Sequence, residues 1–125
     1  MIEIKRRCST QLNEFDEKKD RLGKCYMYAY KFVEKNPSYL LVHGYIKDSI
    51  HGRVIDHAWA EHKSGNKVYD PTTDQFYNTL EYVRLLNPEV VERYTRDEMW
   101  EKALDTGVFG PWHDIPAGKV RWWRV

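Results

Sequence analysis

The apolar positions fall into runs with different periods. Between Lys24 and Lys35, the residues Cys25, Ala29, Phe32 and Val33 recur at i, i+4, i+7 and i+8, which places them on one helical face. Asn36-Pro37 closes that run, because proline disfavours helical geometry in the residue before it. Residues 39–46 are β-prone and mostly apolar, as in a central strand. Residues 54–61 and 67–70 flank the turn cluster Lys63-Ser64-Gly65-Asn66 and read as a β-hairpin. Pro71 stops the return strand, having no N–H to donate. The expected order is helix, strand, strand, strand.

The flanks are less regular. Residues 1–22 are polar, with Ile2, Ile4, Leu12 and Phe15 too sparse to define an element. Residues 73–77 read as a loop. Leu80, Val83 and Leu86 recur every three residues and predict a short helix ended by Asn87-Pro88, and 89–94 read as a further helical turn. Thr95-Arg96-Asp97-Glu98 is a capping box, in which Thr95 and Glu98 satisfy each other's backbone N–H groups. It predicts a helix over 96–105 with Gly107 beyond its end and Met99, Trp100, Ala103 and Leu104 on its apolar face. Residues 108–118 form a loop rich in glycine and proline, and 119–125 are a candidate edge strand. Together these features predict one α+β domain: a polar segment (1–22), a core (23–74) in which the first helix packs on an antiparallel sheet, and a C-terminal helical layer with a tail (75–125).

Composition narrows the function. The 125 residues suffice for one core without staples. With 20 basic and 19 acidic residues, the charge balance argues against nucleic acid as the main partner. The basic, aromatic tail from Lys119 to Arg124 is the one stretch of the opposite character. No apolar run is long enough to span a membrane and none follows the charged first residues as in a signal peptide, so a cytoplasmic protein with two unpaired thiols is expected. No His-x-x-x-His or Cys-x-x-Cys pair is present, and His57 and His62, five apart, face opposite sides of a strand; neither a metal nor an organic cofactor is expected.

The hairpin carries the candidate chemistry. A two-residue turn at Ser64-Gly65 sets Asp70 opposite Trp59, whereas a four-residue loop from His62 to Gly65 sets it opposite His57. Strand side chains alternate with period two, so both registers leave His57 and Asp70 on one face. A carboxylate beside an imidazole fixes its tautomer and supports its charged form. Cys25 falls in the first turn of the predicted helix, where unpaired N–H groups favour a thiolate and can supply part of an oxyanion hole. Cys8, among Arg6, Arg7, Ser9 and Thr10, has no comparable company and is taken as a spare thiol. Trp59 shares the His57 face and either shields the site, as a substrate-binding residue, or is core. Trp112, in the Gly/Pro loop, is a second candidate substrate contact, with His113 beside it. Asp56 points away from His57 and is not expected to replace Asp70, and Glu61 is expected to support the hairpin.

Gly23-x-Cys25 opening a helix, His57-Ala58-Trp59-Ala60-Glu61 on a strand and Asp70-Pro71-Thr72 ending the next together resemble the transglutaminase-like branch of the papain-like cysteine enzymes. The resemblance covers residues 22–74. It implies a papain-like core, Cys25 as nucleophile, His57 as general base and acid, and Asp70 as the residue that orients His57. It implies a thioester route on a peptide, protein or small amide substrate, ending in hydrolysis, deamidation or acyl transfer. The glutamine that papain-type sequences carry shortly before the cysteine is missing, Gln11 being the nearest upstream, so no second oxyanion donor is assigned. A catalytically silent domain of the same kind, binding a protein partner, is the alternative. Nothing in the pattern specifies an oligomer.

Overall fold

The computed structural model describes residues 24–47, 52–114 and the backbone of 120–121. Along the chain run α1 (Cys25–Lys35), β1 (Tyr39–Lys47), β2 (Val54–His62), β3 (Lys67–Asp70), β4 (Gln75–Asn78), α2 (Thr79–Leu86), β5 (Glu89–Tyr94), α3 (Arg96–Thr106) and β6 (Val120–Arg121). The strands are ordered β4-β3-β2-β1-β5 with antiparallel neighbours, and β6 pairs β2 in parallel. The fold is thus α+β, with an antiparallel sheet and three helices among the described residues.

The expected first four elements are present. Their side chains explain why helices lie on both faces of the sheet. Period-two alternation on β2 sends Asp56, Ala58 and Ala60 to one face and Ile55, His57 and Trp59 to the other. The two alanines leave room for α1, and they share a core with its Cys25, Ala29 and Val33 and with Leu41 and Met99. On the opposite face Trp59 and Ile55 pack with Val42, Val68, Tyr77 and, from α2, Tyr82 and Leu86. Met99 on α3 places that helix on the α1 side.

Several expectations for residues 75–125 are corrected. The region is no single helical layer: it supplies strands β4, β5 and β6 and puts one helix on each face of the sheet. The stretch read as the 73–77 loop holds the start of β4, which returns along β3 with Lys67 opposite Asn78 and Asp70 opposite Gln75. The supposed helical turn at 89–94 is β5, paired with β1. Five of its six residues are exposed, so no buried face shows in its pattern; its charged side chains suit a sheet edge, where they discourage pairing with other chains. The three-residue spacing in α2 misled as well. Leu86 is buried as expected, but Leu80 and Val83 are exposed and the helix buries Tyr82 in their place. In α3 the capping box and the left-handed Gly107 end are present, but Leu104 is exposed.

Gly44 is required where β1 meets β5. The register shifts between His43 and Gly44, and a Cβ at Gly44 would stand 2.0 Å from the Glu89 carbonyl oxygen. Glycine inside a strand often marks such a close backbone approach.

Candidate active site

Asp70 ends β3, and its side chain is held from several directions. The β2–β3 register pairs Ala60 with Tyr69 and Glu61 with Val68. Continued by one residue, it sets Asp70 opposite Trp59 and diagonal to His57, the first of the two arrangements the sequence allowed. His57 Nε2 lies 3.2 Å from Oδ1 and 3.1 Å from Oδ2. The Asp-Pro-Thr sequence explains part of the support: the Thr72 N–H, two residues on, donates to Oδ1 at 2.8 Å in the turn that short acidic side chains favour. The Tyr82 hydroxyl donates to Oδ2 at 2.6 Å. Burial on its own would raise the Asp70 pKa, but the charge of His57 and the donors from His57, Tyr82 and Thr72 bring it below the ordinary value.

The same balance runs the other way at His57. Burial would lower its pKa, yet the adjacent Asp70 charge and hydrogen bond, with a further hydrogen bond to Cys25, push it up to about 10. The imidazole therefore stays protonated through neutral pH. Trp59 backs the ring, stacked at 5.8 Å and 22°, and is itself buried against Tyr82. Of the two roles weighed for Trp59, the geometry gives it a packing position behind the imidazole.

Cys25 is the first residue of α1 and lies within hydrogen-bonding reach of His57. It approaches from the opposite face of the sheet. The outer edge of β2 is paired by β3 at Ala60 and Glu61 and by β6 at Ile55 and Asp56. His57 sits in the break between those two partners, and there the first turn of α1 meets the ring. Lys24, at the N-cap position, makes no side-chain cap, and the first turn holds no acidic residue. The end of the helix therefore presents its N–H dipoles to the thiol with no acidic side chain of its own first turn competing for them. With His57 Nε2 committed to Asp70, proton exchange with the thiol falls to Nδ1. Cys25 and His57 each have 0% exposed surface.

A second polar group lies beside the first turn of α1 and was not foreseen. The Tyr26 hydroxyl donates to Asp56 Oδ1, and His113 Nε2 stands 3.6 Å from the same oxygen. Burial first, and then the charge of Asp56, raise the Tyr26 pKa, so the phenol remains a donor. His43 is fully buried beside Tyr26, Tyr94 and Trp112, and burial and then His113 lower its pKa to about 3. Trp112, expected to contact substrate, packs on His43 and Tyr94 and donates its indole N–H to the Val108 carbonyl. Asp56 is on the α1 face, away from His57, as period two requires. Glu61 accepts from Arg93 Nε at 2.7 Å, which ties β2 to β5.

Gly23, Cys8, Gln11 and the tail side chains from Lys119 to Arg124 lie outside the described residues. Within them, no three of His, Cys, Asp and Glu converge as metal ligands, and no helix is long and apolar enough to cross a membrane. No protein-family model, no curated protein and no solved structure matches the chain.

Proposed function

We propose that the chain is a thiol enzyme with a papain-like, transglutaminase-like core, in which Cys25, His57 and Asp70 attack an amide or peptide carbonyl. The observation that carries this reading is His57 held between the Asp70 carboxylate and the Cys25 thiol, with the thiol on the first residue of a helix. In the reactive form the proton shared by the pair already sits on His57, and the Cys25 sulfur adds to the carbonyl carbon as the thiolate. First-turn N–H groups of α1 stabilise the oxyanion. His57 returns the proton to the leaving amine as the C–N bond breaks, leaving a thioester on Cys25. Water then yields an acid, which makes the enzyme a peptidase, amidase or deamidase; an incoming amine yields a new amide, which makes it an acyltransferase.

The alternative is a silent domain of the same fold that binds a protein partner. One observation favours it: thiol and imidazole have no exposed surface. Alkylation of Cys25 by iodoacetamide, followed by intact mass as a function of pH, separates the two. A Cys8→Ala background leaves a single reactive candidate. Rapid labelling below neutrality that slows in His57→Ala is expected of the enzyme. Labelling that rises only near the free-thiol value of about 8.5, unchanged by the mutation, overturns it. Amide, glutamine and amine substrates are the next screen.

A further inference from the structure

We propose that Tyr82 is a positioning residue for the triad, clamping Asp70 together with the Thr72 N–H so that both carboxylate oxygens face His57 Nε2. This rests on the reading of Cys25, His57 and Asp70 as a catalytic set, although its geometry stands apart from any activity. A carboxylate joined to Cβ by one bond rotates freely unless something holds it. At Asp70 each oxygen has its own donor, the Thr72 N–H on Oδ1 at 2.8 Å and the Tyr82 hydroxyl on Oδ2 at 2.6 Å. The two distances to Nε2, 3.2 and 3.1 Å, are nearly equal, as a carboxylate pinned on both sides should make them.

The donors differ in origin. Thr72 is local, fixed by the turn that follows β3. Tyr82 comes from α2, across the core, and its ring is wedged among Trp59 and Tyr77 with 1% of its surface exposed. Burial, and then the Asp70 charge, hold its hydroxyl protonated well beyond the ordinary tyrosine range, so it is a donor throughout the range in which Asp70 titrates. A hydrogen bond to a charged acceptor is among the stronger ones a protein makes, and this one favours the ionised form of Asp70. Tyr82 therefore keeps the negative charge beside His57 and aims it.

The test is Tyr82→Phe, which removes the hydroxyl and keeps the ring. The readouts are the ¹³C titration of the Asp70 carboxyl, the ¹⁵N signals of the His57 ring and the Cys25 alkylation rate. The acid midpoint of Asp70 is expected to rise by roughly one to two pH units, the size of a lost hydrogen bond to a charged group. The His57 ring signals should shift with it. An unmoved Asp70 midpoint with unmoved ring signals overturns the clamp, whatever the alkylation shows. Conversely, a moved midpoint in a protein whose alkylation is indifferent to His57→Ala upholds the clamp and removes the enzyme reading. Should Tyr82→Phe fail to fold, a ring-fluorinated tyrosine at 82 keeps the hydroxyl and makes it a stronger donor. The midpoint is then expected to fall below that of the wild type, and no fall overturns the clamp.

Discussion

Asp70 and His57 depend on each other because both are buried. Each alone would be pushed toward its neutral form, and each holds the other charged. Asp70→Asn removes the charge but keeps the shape. Burial then acts on His57 against the Cys25 contact alone, and its titration is expected to fall well below that of the wild type, read by ¹⁵N spectra of the ring. Breaking a buried pair on one side costs about 3–5 kcal/mol, a loss that urea unfolding would register. The pH dependence follows from the two shifts. The folded His57 pKa lies above its unfolded value, so its contribution to stability is full below about 6.5, declines as pH rises and is gone above about 10. Asp70 shifts downward, so its contribution is full above the ordinary carboxylate value and is lost as acid protonates the folded group. An unfolding series that is flat through the alkaline range would contradict the pair. At this scale the sequence was legible for Cys25, His57 and Asp70, since spacing and alternation fix their faces. Tyr82 left no such signal: its hydroxyl reaches Asp70 through the packing of α2, and the apolar spacing of that helix pointed to Leu80 and Val83 instead.

Elements with their own chemistry behaved as their residues implied. The capping box at Thr95 is made on both sides, with the Thr95 oxygen accepting from the Glu98 N–H at 3.2 Å and Glu98 accepting from the Thr95 N–H at 2.9 Å. Thr95→Ala is expected to cost about 1 kcal/mol in urea unfolding without altering Cys25 labelling. α1 and the β2–β3 hairpin were equally plain, because each buries a face and so writes its period into the sequence. β4 and β5 are edge strands. Phe76 and most of β5 are exposed, so the composition of these strands reflects solvent as much as structure. What makes them strands is hydrogen bonding to β3 and β1, and backbone pairing leaves little trace in side-chain pattern.

For the molecule as a whole, the segment from Gly107 to Asp114 crosses the α1 side of the sheet next to the site. His113 reaches Asp56, Trp112 packs on His43, and Phe109 meets Tyr30 at 4.9 Å. Gly110 has a φ of +134°, and a Cβ there would stand 2.7 Å from Tyr26 and 2.8 Å from His43. Gly110→Ala is expected to push this segment off α1 at a cost of about 1–3 kcal/mol, and to speed alkylation of the buried Cys25. An unchanged alkylation rate in a folded variant would mean that the segment does not guard the thiol.

The sequence by itself determined α1, β1, the hairpin, α3 with both of its ends, and the common face of His57 and Asp70. Each is a local matter of period, cap or turn, decided within a few residues. Only the tertiary structure decided the register that sets Asp70 diagonal to His57, the break in the edge of β2 through which Cys25 reaches the ring, the reach of Tyr82 and the roles of β4, β5 and His113. Those depend on which surfaces meet, and contacts between residues far apart in the chain need no repeating pattern along it.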